Sequence, residues 1–157
     1  MKKFITVFAS VAMMGLLLTG CGDSGDSKEI TAAPAELAKN LAATSSDNSL
    51  TEVSAEILAS TYMVDAEKIE DSSAYMGAGS TACEAVVIKC TDDSYPAEVK
   101  TLLETRVQNQ SDLYASYNAA QVEILDDAII KVSGNYAVLC VTDDTDAAEK
   151  VLEEAGF

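Results

Sequence analysis

The feature that most restricts the fold of this chain is a predicted β-hairpin near its C-terminus. Two apolar segments, 128–132 and 136–141, flank Gly134-Asn135, and a two-residue loop that begins with glycine is typical of a type II′ turn. This turn pairs six apolar residues on one face: Val132 with Ala137, Ile130 with Leu139 and Ala128 with Val141. Lys131 and Cys140 fall on the other face. Turn register and hydrophobic pattern agree, so we expect an antiparallel sheet with one apolar face.

The remaining segments predict the other elements of an α+β fold. Two N-terminal helices are expected, one over 34–43 and one opened by the capping-box sequence Ser49-Leu50-Thr51-Glu52. The sequence after these helices predicts strands over 73–78 and 83–90, a long helix over 96–117, the hairpin, and a helix over 147–155. We therefore expect two helices followed by a ββαββα arrangement. Its mainly antiparallel four-stranded sheet would be packed by helices on one face.

An apolar segment ends abruptly at a cysteine close to the N-terminus. Two lysines precede a mostly apolar run over residues 4–18, which is shorter than the about 20 residues of a membrane-spanning helix and fits a secretory signal. The sequence Leu18-Thr19-Gly20-Cys21 resembles a lipobox, the cleavage motif of bacterial lipoprotein signals. The resemblance implies that residues 1–20 are removed and that Cys21 carries the lipid. The alternative is a buried cysteine in an ordinary signal anchor.

Small and polar residues follow the cysteine and predict a flexible tether over residues 21–30. Residues 31–157 are then long enough for a single domain. A lipidated cysteine carries more than one acyl chain, which anchors a protein stably where a single chain does so only marginally. The expected location is thus the outer face of the plasma membrane, with the domain outside the cell membrane.

The chain is strongly acidic. Its formal net charge is −16, and removal of residues 1–20 takes away two lysines and no acid, which gives −18. This charge repels nucleic acid and anionic lipid, so no nucleic-acid partner is expected. It attracts cations or basic partners over long range, although solubility at a crowded surface explains the same composition.

The absence of histidine excludes most catalytic and metal-binding motifs. Ser-His-Asp and Cys-His nucleophile systems, zinc sites with histidine ligands and the commonest general base at neutral pH all require this residue. The sequence also lacks a G-x-S-x-G motif, a P-loop and a G-x-G-x-x-G motif. We therefore expect no enzyme activity, no cofactor and no metal.

Two acidic turns, at residues 92–93 and 143–146, offer oxygen atoms of the kind that calcium prefers. Neither has the spacing of an EF-hand loop. Aspartate, serine and threonine also cap helices and favour the positive N-terminal end of the helix dipole. Capping is therefore the preferred interpretation of both turns.

Besides Cys21, three cysteines remain, so at most one internal disulfide can form. Strand alternation places Cys90 inward and Cys140 outward, and these two should not bridge. Cys83 shares the face of Cys140, and whether their strands are neighbours is left open.

A polar pair interrupts the apolar stripe of the long predicted helix. At helical spacing, Arg106 and Gln110 lie near the middle of that stripe, and a buried arginine requires a charged partner. In the strand over 83–90, Lys89 marks one face as outward, which turns Glu84 inward. We therefore expect a buried cluster of Glu84, Arg106 and Gln110. The alternative is that Arg106 extends to solvent and Glu84 lies at a solvated strand end.

A family resemblance rests on several of these segments. Four stretches resemble small lipoproteins of Gram-positive anaerobes, catalogued as domain of unknown function 4358: the run Glu84-Ala85-Val86-Val87-Ile88-Lys89, the spacings Glu104-x-Arg106-x-x-x-Gln110 and Tyr117-x-x-x-Gln121, and the sequence Gly134-Asn135-Tyr136. The resemblance covers roughly residue 50 to the C-terminus. The resemblance implies surface anchoring and a domain of this family. It implies no activity, ligand or catalytic residue.

The expected function is that of a lipid-anchored envelope protein whose domain binds a protein or small-molecule partner without catalysis. Two alternatives remain open. One is a cell-wall hydrolase that uses a pair of carboxylates, and the other is an acidic cation-binding module.

Overall fold

In the computed structural model, residues 30–157 are described, and these residues form five α-helices and five strands. The predicted signal segment, Cys21 and nearly all of the predicted tether lie outside the described residues. The elements in chain order are α1 (Pro34–Ala42), β1 (Thr51–Val53), α2 (Ala55–Tyr62), β2 (Ile69–Met76), β3 (Glu84–Cys90), α3 (Pro96–Tyr114), α4 (Ala119–Asp126), β4 (Ile129–Ser133), β5 (Tyr136–Val141) and α5 (Thr145–Ala155).

The strands form one antiparallel sheet in the order β1-β2-β3-β5-β4, so the α+β class is confirmed. The sheet has five strands where four were expected. The extra strand is β1, which pairs Thr51 with Met76 along the edge of β2, in the segment where the capping box predicted a helix. Helix α2 begins later, after Ser54, whose side chain accepts a hydrogen bond from the Ile57 amide. Pairing with β2 outweighs the local capping signal here.

The hairpin has the expected register. Val132 pairs with Ala137 and Ile130 with Leu139, but β4 begins at Ile129, so the predicted pair of Ala128 with Val141 lies outside the β4–β5 ladder. Gly134 has φ +55°, and Asn135 has no positive φ. A type II′ turn requires positive φ at its first central residue only, so both observations fit the predicted turn.

Helices cover both faces of the sheet, whereas the sequence predicted helices on one face. On one face, Val86 and Ile88 of β3 pack against α2, α3 and α4. On the other, Ala85 and Val87 pack beneath α1 and α5. The expectation of an outward face rested on Lys89, which lies near the end of β3 with Nζ 2.6 Å from Glu70 Oε1. Lys89 lies at the exposed end of a sheet face that α1 and α5 otherwise cover.

The region after β3 differs from the prediction in its helix ends. The long helix α3 ends at Tyr114, and a separate helix, α4, follows it. Gln121 of α4 accepts a hydrogen bond from the Ala82 amide at 2.7 Å, which attaches α4 to the start of β3. Within 30–157, no helix has the length and apolar character needed to cross a membrane.

Cys83, Cys90 and Cys140 are buried and unbridged in the described part of the chain. Cys90 and Cys140 lie on opposite faces of the sheet, as predicted. The outward position expected for Cys140 is wrong, because α1 and α5 cover that face.

These buried thiols predict a loss of stability at alkaline pH. Burial raises the pKa of Cys140 from 9.0 to about 12 and that of Cys90 to about 11. Above pH 9 the unfolded chain loses these protons while the folded chain keeps them. The stability present below pH 9 should therefore fall by up to about 1.4 kcal/mol per pH unit for each thiol until the folded pKa is reached.

Urea unfolding followed by circular dichroism at pH 8, 9, 10 and 11 measures this slope. The variant Cys140→Ala should show a shallower decline between pH 9 and 10, since one of the two thiol contributions is then removed. If the stability of wild type and of Cys140→Ala falls equally steeply with pH, the Cys140 thiol does not contribute to the loss.

Candidate functional site: a buried ion pair and an acidic groove

Glu84 is a buried carboxylate at the start of the central strand β3. Its side chain is 3% exposed. Strand alternation directs it to the same face as Val86 and Ile88, which is the face covered by α2 and α3. The apolar layer therefore contains a charge that needs partners. The alternative of a solvated strand end is wrong.

Arg106 and Tyr62 provide those partners. Arg106 donates from Nη2 to Glu84 Oε2 at 3.0 Å and from Nε to Oε1 at 3.2 Å, which makes a bidentate pair between α3 and β3. The hydroxyl of Tyr62, the last residue of α2, donates to the same carboxylate at 3.0 Å. The guanidinium also lies over the Tyr62 ring, 5.7 Å from its centroid. We refer to Glu84, Arg106 and Tyr62 as the clamp.

The structure brings Glu84 and Arg106 together, as the sequence led us to expect, but not Gln110. Gln110 is half-buried, and its side chain takes no part in the hydrogen bonds of the clamp. Tyr62 supplies the additional hydrogen bond instead. Sequence reasoning did not identify Tyr62 as a partner of Glu84. Its spacing of four residues from the buried Leu58 was the available signal that it points inward.

The electrostatics of the clamp favour a fixed protonation state. Burial acts to lower the pKa of Arg106, but hydrogen bonding and the charge of Glu84 outweigh burial and raise it. The pKa of Tyr62 is raised, mainly by burial and then by the charge of Glu84, so its hydroxyl stays a neutral donor. Within 30–157, no buried side-chain nitrogen or oxygen lacks a hydrogen-bond partner. A carboxylate bound in this way joins β3, α2 and α3 and is poorly placed for acid or base catalysis.

The acidic turns bind backbone and hydroxyl groups. Asp144 caps α5 by accepting from the Ala147 amide at 3.0 Å, as the capping interpretation predicted. Asp143 accepts from the Ser46 amide at 2.9 Å. Asp92 accepts from the Ser94 amide at 2.8 Å, which makes a turn before α3 and not a cap. Among residues 30–157, no group of three or more cysteines or carboxylates is placed to hold a metal ion.

A groove of about 590 Å³ lies between α1 and α5. Apolar side chains of Leu37, Val151 and Ala155 line it, together with two exposed carboxylates, Glu36 and Glu154. We call this feature the α1–α5 groove. Sequence reasoning missed it, because the two helices are more than 100 residues apart in sequence and come together only in the folded domain.

The two helices of the groove run antiparallel. At one end, the Tyr136 hydroxyl donates to the Ala32 carbonyl at 3.2 Å, and the Tyr136 ring packs edge-on against Phe157. At the other end, Thr44 after α1 donates to Thr142 before α5 at 3.1 Å. Glu36 in the first turn of α1 and Glu154 in the last turn of α5 therefore lie toward the same end. This acidic end is where the chain enters the domain at residue 31.

Comparison with known proteins identifies a family. A family model described as Domain of unknown function (DUF4358) matches residues 43–142. This region contains the whole clamp, whereas α1 and α5 lie outside it. No curated protein and no solved structure matches the chain.

Proposed function

The chain belongs to the family of domain of unknown function 4358, and from this premise we propose that it is a lipid-anchored binding domain on the outer face of the plasma membrane. In this proposal Cys21 carries the lipid, residues 22–30 connect it to the domain, and the domain binds a protein or small-molecule partner without catalysis. The connection of nine residues reaches about 30 Å at full extension. The partner would therefore bind close to the membrane surface.

The position of the α1–α5 groove is the observation that carries this proposal. Ligand sites in proteins are concave and measure roughly 300–1,000 Å³, and the groove, at about 590 Å³, falls in this range. Thr31 and Ala32, the first residues of the domain, are among its lining. The clamp, in contrast, has its carboxylate already paired with Arg106 and Tyr62. The groove is thus a surface that is open to a partner, on the side that the tether holds near the membrane.

The lipid anchor predicts a processing defect. Replacing Cys21 with serine removes the thiol that accepts the lipid, so uncleaved precursor should accumulate and the protein should leave the detergent phase on Triton X-114 partition. Cys83→Ser, a change in a buried cysteine of the domain, is the matched control and should be processed normally. Normal cleavage and partition of the Cys21→Ser variant would contradict the anchor.

Partner binding is tested separately by crosslinking in native membranes and mass spectrometry of the adducts. The anchored wild-type protein should give discrete, saturable adducts. If it gives none, the binding function is wrong.

A second candidate function, hydrolysis of cell-wall glycan, is favoured by one observation: the groove carries two carboxylates. Glycosidases use such a pair, with the acid in a water-shielded apolar pocket. Glu36 and Glu154 are both exposed, which favours binding over catalysis. Release of reducing ends from purified peptidoglycan that is lost in Glu36→Gln would support the hydrolase instead.

A further inference from the structure

We propose that the α1–α5 groove binds a basic, partly apolar peptide segment of a partner protein, with a lysine or arginine side chain held at the end that carries Glu36 and Glu154. This inference rests on the proposed binding function and adds the site and the chemistry of the partner.

Negative charge concentrates at one end of the groove. Glu36 and Glu154 lie toward that end, and within residues 30–157 neither forms an ion pair. Helix α5 also ends there, with no basic residue in its last turn. The C-terminal end of a helix carries a partial negative charge that favours cations. Glu154 adds to this charge and does not offset it.

Other glutamates of the same surface do have cationic partners. Glu149 of α5 pairs with Lys131 of β4, and Glu70 pairs with Lys89 at 2.6 Å. The groove carboxylates differ from these, because neither Lys39, three residues from Glu36, nor Lys150, four residues from Glu154, lies within ion-pair distance of them. A cation from another molecule would complete the pairing.

The rest of the groove favours a peptide over a free inorganic cation. Leu37, Val151 and Ala155 present apolar surface beside the carboxylates, and Asn40 supplies an amide. Helix α1 has nine residues, so the groove along it is about 13 Å long. An extended segment of about four residues covers this length. Alternating basic and apolar side chains would meet both the carboxylates and the apolar lining. The net charge of −16 adds long-range attraction for such a segment.

The test uses the full chain in a non-ionic detergent and a fluorescein-labelled peptide of seven residues that alternates lysine and leucine. Fluorescence anisotropy should show saturable binding at low salt that weakens as salt rises. The double variant Glu36→Gln with Glu154→Gln should weaken binding about tenfold, because each of the two exposed charge contacts should contribute roughly threefold. A peptide that alternates glutamine and leucine should bind no better to wild type than to this variant.

The matched control removes the same charge elsewhere. Glu56 of α2 and Glu123 of α4 are exposed and lie on helices of the other face. The double variant Glu56→Gln with Glu123→Gln should change the affinity by less than about twofold. Equal weakening by both double variants would mean that net charge alone attracts the peptide, and this would overturn the proposal, as would no binding by wild type.

Crosslinking in native membranes separates this inference from the proposed function. If the groove variant gives the wild-type adducts, the groove is not the site, although the domain still binds a partner. If wild type itself gives no adducts, the binding function fails. Loss of adducts in the groove variant, with the control variant unchanged, supports both.

Discussion

Replacement of Arg106 with alanine should lower the free energy of unfolding by about 3–5 kcal/mol, the usual cost of breaking a buried ion pair. The reason is the environment of Glu84, which is 3% exposed and would keep only the Tyr62 hydroxyl as a partner. Urea denaturation of the wild type and the variant measures the difference. Lys100→Ala is the matched control. Its surface pair with Glu104, at 3.7 Å with both side chains about half exposed, should contribute less than about 1 kcal/mol.

A second variant separates the contribution of the two charges to stability from the contribution of side-chain packing. Glu84→Leu combined with Arg106→Met replaces the two charges with apolar side chains of similar volume. It should recover most of the loss, because a well-packed apolar pair often equals a buried ion pair in stability. The double-mutant cycle then gives the coupling energy directly. If Arg106→Ala stays within about 1 kcal/mol of wild type, the clamp does not hold β3, α2 and α3 together.

Replacement of Val87 with aspartate should abolish cooperative folding or cost more than about 4 kcal/mol. Val87 is completely buried under α1 and α5, and the lysine of that face on β3, Lys89, is already paired with Glu70 at the end of the strand. An unpaired charge in such a place costs several kcal/mol. Thermal and urea unfolding by circular dichroism measure the effect. The milder Val87→Ala should cost about 2 kcal/mol, which keeps the test informative if the aspartate variant does not fold.

Val132 provides the control for the same chemical change. It lies in the outer strand β4 and is 39% exposed, so Val132→Asp should cost about 1 kcal/mol, the span of strand propensity. Similar stabilities for Val87→Asp and Val132→Asp would mean that α1 and α5 do not pack on the sheet.

The parts of the fold that sequence could predict are those with a local and redundant signal. The hairpin was predictable because turn chemistry at Gly134 and the apolar pattern of both strands specify one register. The ion pair was predictable for a different reason. Arg106 is a charge in an apolar stripe, and such a charge requires a partner of opposite sign on the facing element. Glu84 was the carboxylate that strand alternation turned to that face.

The parts that could not be predicted depend on packing between distant segments. β1 exists because Thr51 and Val53 find partners on β2, and the local sequence there favours a helix start. The second helical layer was missed because Lys89 was taken to mark the exposure of a whole face. The nearly continuous apolar run of β3 was the better signal, since strands buried on both sides have this pattern. The α1–α5 groove has no local signal at all.

The strand order also determines when the domain can fold. The centre of the sheet joins β3 to β5, with Glu84 opposite Val141, and the segment between these strands contains α3, α4 and β4. A ribosome must therefore release nearly the entire chain before β3 gains its second neighbour. Such distant pairing slows folding. Under the proposed function, this late pairing favours export. The precursor must pass through an export channel as an unfolded chain, and it cannot complete its sheet before its last strand is available. The domain would then assemble only after that strand has crossed the membrane.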